Sequence, residues 1–137
     1  MQGKHLYEYA VIRLVPKVER EEFFNVGIIL FSKRAKYIKA LYKVDEDKLN
    51  LFSSELDRES LFANLHVFDK ICSGTKEGGP IAALDIPERF RWLTAVRSAS
   101  IQTSRPHPGF SDDLDRKLEI VNSGLILRLF LCSGFNR

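Results

Sequence analysis

Two apolar runs separated by a short charged segment constrain this chain more than anything else in it. Tyr7 to Val15 is almost continuously apolar, Lys17 to Glu22 reads KVEREE, and Phe23 to Phe31 is apolar again. β-Branched and aromatic residues dominate both runs and Pro16 closes the first, so each reads as a strand, the first buried on both faces. A second, basic turn spans Ser32 to Lys36. Beyond it, in Tyr37 to Val44, Lys39 and Lys43 alternate with Ala40, Tyr42 and Val44, the period-2 pattern of a strand with one solvated face. Three sequential strands joined by tight charged turns make an antiparallel meander.

The period then lengthens to that of a helix. Asp45 reads as an N-cap with Leu49 and Phe52 behind it, and Asp57 as the cap of a longer helix whose stripe is Leu61, Leu65, Phe68 and Cys72, stopped at Gly74. SGTKEGGP, from Ser73 to Pro80, reads as a flexible linker. Pro87 then opens a short helix through Phe90, Trp92 and Leu93. Ser98 to Thr103 reads as a fourth strand. Ser111 reads as the cap of a last helix, with Asp112 and Asp113 in its first turn and Leu114, Leu118 and Val121 facing inward. The expectation is therefore an α+β domain over residues 7–121: an antiparallel sheet of about four strands, a meander of three plus one later strand, with helices packed on one face. The apolar tail, 122–137, fits an edge strand, a helix end or a partner-contact segment.

Composition narrows the functional classes. With 137 residues, 45% of them hydrophobic, the chain suits one domain with a sizeable core. Its 21 basic and 18 acidic residues leave a formal charge of +3, a weaker excess than a dedicated polyanion binder carries. Cys72 and Cys132 are far apart in sequence, and the N-terminus lacks a basic segment followed by a long apolar one, so a reduced, cytoplasmic protein is expected. The apolar run Leu125 to Cys132 is broken by Arg128 and is shorter than the roughly 20 residues a membrane span needs.

Chemistry-bearing residues concentrate in two places. Phe24, Asn25, Val26 and Gly27 put an amide and a glycine inside a strand, and glycine there marks a bulge or a close backbone approach. If the first two strands form a hairpin in even register, Arg13 shares a face with Asn25 and makes a polar niche; the plainer reading pairs Arg13 with Glu19 or Glu22. The second place is Thr94 to Asp113. There Arg97 and Arg105 share a face and can grip a carboxylate or phosphate, while Gln102 points the other way unless a bulge intervenes. Surface salt bridges to Glu88, Asp112 or Asp113 are the plainer alternative. His107, held between Pro106 and Pro108, is stiff enough to contact a ligand, though an isolated loop histidine is ordinarily solvated.

Several sharper readings lack support. His107, Asp112 and Asp113 have no recognised metal-ligand spacing, no G-x-S-x-G occurs, and SGTKEGGP lacks the G-K-[ST] order of a phosphate loop. No metal, cofactor or catalytic residue is expected. Lys33, Arg34, Lys36, Lys39 and Lys43, interleaved with Tyr37 and Tyr42, fit a single-stranded nucleic acid or, more simply, a charged hairpin that discourages edge pairing.

YEYAVIRLVP with REEFFNVGIILF, followed by RWLTAVRSASIQTSRPHPGFSDD, resembles a bacterial family known as domain of unknown function 3037. The resemblance covers Tyr7 to about Val121, and the tail from Asn122 departs from the family's closing helix. Read onto this chain, its motif positions are Arg13, Glu22, Asn25, Gly27, Arg97, Gln102, Gly109 and Asp112, with Gly27 and Gly109 as structural glycines. The resemblance implies no activity. It implies small cytoplasmic proteins encoded beside a toxin-type kinase-like protein, and so a partner role. The leading expectation is a non-catalytic interaction or accessory module that binds a protein through Arg13, Asn25, Arg97, Gln102 and Arg105. One alternative is a small enzyme for a phosphorylated or nucleotide substrate, with Arg97 and Arg105 as clamp and His107 or Glu22 as acid or base. Another is nucleic-acid binding through the basic hairpin. A homo-oligomer is left open.

Overall fold

A computed structural model describes residues 4–17, 22–45, 47, 58–95 and 101–134. The meander is present as β1 (His5–Lys17), β2 (Glu22–Ser32) and β3 (Tyr37–Tyr42), followed by α1 (Arg58–Ser73) and α2 (Ile86–Leu93). Two short strands, β4 (Ile101–Thr103) and β5 (His107–Ser111), precede α3 (Leu114–Gly134). The sheet is antiparallel with order β3-β2-β1, and both β4 and β5 pair with β1 on its remaining edge. An antiparallel sheet packed against helices is the expected α+β class, with five strands where about four were expected.

The helices do not all share one face. α1 and α2 do: Leu61, Leu65, Phe68, Ile71, Phe90 and Leu93 bury against Ala10, Ile12, Leu14, Val26, Ile29 and Phe31. α3 crosses to the opposite face, where Leu114 and Leu118 pack on Tyr7, Ile28 and Leu30, with Val121 alongside. The physical reason lies in β1. A strand with apolar residues at successive positions presents them to both sides, and each side needs a cover.

The α1 stripe Leu61, Leu65, Phe68 and Cys72 is buried as expected, and Gly74 ends the helix with φ 75° and an amide donated to the Lys70 carbonyl at 3.0 Å. Ser73 to Pro80 is folded, not a loose linker. It forms a 3-10 turn at Lys76–Gly78, with another at Pro80–Ala83, and a methyl group on Gly78 would lie 2.7 Å from the Ala82 side chain. Arg89 Nη1 donates to the Ile71 and Cys72 carbonyls at 3.2 and 3.1 Å, tying α2 to the C-terminus of α1. Asp85 caps α2, with Pro87 in its first turn.

Asp113, not Ser111, supplies the cap acceptor of α3, its carboxylate taking the Arg116 amide at 3.1 Å. Ser111 belongs to β5, and its hydroxyl instead holds the Asp113 amide at 3.1 Å. The backbone beyond Asn122 stays helical to Gly134, which resolves the tail as a continuation of α3. Leu49, Phe52 and Asp57 lie outside the described residues. Among the described residues no helix is long and apolar enough to cross a membrane.

Candidate functional site

The β1–β2 hairpin has the register that aligns Arg13 with Asn25. From Glu8↔Phe31 to Ile12↔Gly27 the pairing is regular, then slips by one residue at Val26, so that Arg13 faces Asn25 directly. This bulge sits where the strand carries its amide and glycine. A methyl group on Gly27 would come within 2.6 Å of Tyr42 Cα, so glycine there is what lets β3 approach β2.

On the other edge of β1, Arg13 pairs with Gln102 of β4. Asn25, Arg13 and Gln102 therefore form one cross-strand row over three adjacent strands. Directly opposed residues in antiparallel strands share a face, and alternation from Tyr7 through Tyr9 and Val11 puts this row on the α3 side of the sheet. All three side chains are half-buried. Arg13 and Gln102 each make an interaction of their own. The buried Asn25 Oδ1 has no hydrogen-bond partner among the described residues, an unusual condition for a buried carbonyl.

A second bulge brings His107 to the same face. β4 pairs as Ile12↔Thr103 and β5 as Tyr9↔His107, so four steps along the edge strand match three along β1. The additional residue falls in Ser104 to Pro106. The Ser104 amide donates to the Val11 carbonyl at 2.9 Å, and the Ser104 hydroxyl accepts the Val11 amide at 2.9 Å in place of a backbone carbonyl. A one-residue shift reverses the facing of everything beyond it. His107 consequently stands with Gln102, its ring 5.2 Å from Tyr9.

The remaining candidates separate from this row. Arg105 is exposed within the bulge and makes no ion pair among the described residues, so the anticipated bridges to Glu88, Asp112 and Asp113 are not formed. Asp112 is exposed just ahead of α3. Glu22 pairs through its backbone with Lys17 at the far end of the hairpin. Arg97 and Glu19 lie outside the described residues. Gly109 faces Tyr7 in register, and a methyl group there would strike the phenol ring that covers it. Ser104 escaped the sequence reading; its signal was a serine beside Arg-Pro-His-Pro, where proline ends regular pairing.

Part of the basic hairpin is engaged with α3. The Tyr37 hydroxyl donates to Asp115 Oδ1 at 2.7 Å, and Lys39 Nζ lies 3.5 Å from the same carboxylate. Burial, then the Asp115 hydrogen bond, pushes the Tyr37 phenol up, and the Tyr37 bond with the Lys39 charge holds Asp115 below its usual value. Burial first, then Asp69, raises Tyr42 as well. Burial also pushes the Cys72 thiol up to about 12. Among the described residues no group of His, Cys, Asp or Glu could hold a metal ion.

The sequence profile of the family described as Protein of unknown function (DUF3037) matches residues 9–126, most of the chain. No curated protein and no solved structure matches.

Proposed function

The chain belongs to the DUF3037 family, and from that premise we propose that it is a cytoplasmic, non-catalytic binding module that holds a protein partner on the Asn25–Arg13–Gln102 row. The observation that carries this reading is the register: two bulges gather a guanidinium, two amides and the His107 imidazole onto one face of the sheet. Guanidinium and amide groups recognise carboxylates and peptide groups through directional hydrogen bonds. Gln102 and His107 lie on strands that pair only with β1 among the described residues, so a partner reaches the row from that edge.

Two further features favour binding over the alternatives. A thiol whose pKa stands near 12 is protonated at neutral pH and is a poor nucleophile. Tyr37 and Tyr42, which a single-stranded nucleic acid would stack on, are partly buried and bonded to carboxylates.

The test is affinity capture from lysate with the tagged protein beside a Gln102→Ala/His107→Ala variant of unchanged Tm. A kinase-like protein, the partner the family resemblance implies, is the first to assay directly. The proposal expects one protein recovered by the wild type and lost by the variant. Equal recovery by both, an empty capture, or turnover of a phosphorylated substrate that the variant loses would overturn it.

A further inference from the structure

On the opposite face and at the opposite end of β1 lies a groove of about 680 Å³ that the polar row does not touch. Its floor is the stacked pair Phe31 and Phe90, ring centres 4.6 Å apart and 19° from parallel. Pro87 on α2 and Pro106 and Pro108 on the edge strand also line it. Leu6 opens from it to solvent, 51% exposed, opposite Phe110 at 59%. The groove lies where β1 runs on toward His5 beyond Ala10, the last fully buried residue on that face of the strand.

Charge around the groove is one-sided. Lys33 and Arg34 from the β2–β3 turn and Arg91 from α2 line it against one acidic side chain, Glu8. None of these three cations makes an ion pair among the described residues, where the salt bridges are Lys39–Asp115 and His66–Glu77. Three like charges gathered beside an apolar floor and left without counterions repel one another, and an acidic group among them relieves that repulsion. The volume is that of a small-molecule site, too small for a folded partner.

We propose that this groove binds a small amphiphilic anion, a flat apolar body lying over Phe31 and Phe90 with its acidic head among Lys33, Arg34 and Arg91. The site is independent of the partner-binding row and stands or falls separately from it. The same chemistry is offered by an aryl carboxylate and by a nucleoside phosphate.

The probe is 8-anilinonaphthalene-1-sulfonate, titrated by fluorescence beside its uncharged analogue N-phenyl-1-naphthylamine. One saturable site is expected, with affinity about tenfold or more above that of the uncharged analogue. Lys33→Glu/Arg34→Glu and Arg91→Glu, all exposed positions, are each expected to weaken the sulfonate by about tenfold while leaving the uncharged dye unaffected. Displacement by 2-naphthoate or by adenosine monophosphate supports the site and tells which head group it prefers. Absence of saturable binding, equal affinity for the two dyes, or charge-reversal variants that bind the sulfonate as the wild type does would overturn the proposal.

Discussion

The two faces of the sheet bury opposite ends of the same strand. On the α1/α2 side, Ala10, Ile12 and Leu14 are fully buried while Leu6 stands open to solvent; on the α3 side, Tyr7 is buried and the far end carries Arg13. Each helix layer covers a different half of β1, so Leu6 stands open on one face while Arg13 is only half-buried on the other. The two less covered ends are unlike: aromatic and cationic on one side, guanidinium and amide on the other. A strand that must be apolar on both faces can still present two chemically distinct surfaces, provided its covers are staggered.

The comparison breaks most readily in the two cores. Leu61→Ala removes a side chain from the α1/α2 core and Leu118→Ala one from the α3 core, both 1% exposed, and each is expected to cost about 3 kcal/mol in denaturant unfolding. A loss under about 1 kcal/mol for Leu118→Ala would make α3 a peripheral cover. Gly27→Ala drives a methyl against the β3 backbone and is expected to cost about 2 kcal/mol or more, against about 1 for Gly109→Ala, where the obstacle is the movable Tyr7 ring. The reverse order would mean that β3 yields more easily than an aromatic side chain.

Ser104→Ala tests the bulge that sets the facing of His107. It leaves the Val11 amide without its acceptor and is expected to cost about 1–2 kcal/mol in thermal or denaturant unfolding. Titration gives smaller effects. Cys72 has its folded pKa raised from 9.0 to about 12, so its contribution is complete below pH 9 and is lost as pH rises from there through about 12. In a Cys132→Ser background, Cys72 should resist thiol reagents at pH 8 until denaturant is added. Asp115 is shifted the other way: its contribution is present above the unfolded value of 3.8 and is lost as pH falls through the lower folded value. Because that carboxylate is exposed, Asp115→Asn should lower Tm at pH 7 by only about 2 °C or less and flatten the acid limb.

The strands were legible because alternation and charged turns are local signals, whereas the meeting of Arg13 with Asn25, expected only if the hairpin took an even register, comes from the bulge at Val26. The near-continuous apolarity of Tyr7 to Val15, interrupted at Glu8 and Arg13, already read as a strand buried on both faces. What it lacked was any mark distinguishing the Leu61/Leu65/Phe68 stripe from the Leu114/Leu118/Val121 stripe, since both are ordinary apolar helix faces. The meeting of Gln102 with Arg13 depends on which strand lies beside β1, which no local pattern encodes. The facing of His107 depends on Ser104 replacing a backbone acceptor with its side chain, and alternation is blind to that. SGTKEGGP read as a linker because its order comes from elsewhere, from Ile71 and Ala82 packed against Gly78. The groove was invisible for the same reason: Phe31, Phe90 and Arg91 each read as ordinary strand or helix residues.

The central claim, that the polar row is the partner surface, is tested most directly by amide chemical-shift mapping of the isotope-labelled protein on addition of the captured partner. The account predicts perturbations centred on Arg13, Asn25, Gln102 and His107, with Lys33, Arg34 and Arg91 unmoved. Perturbations confined to the groove, with the row silent, would contradict it.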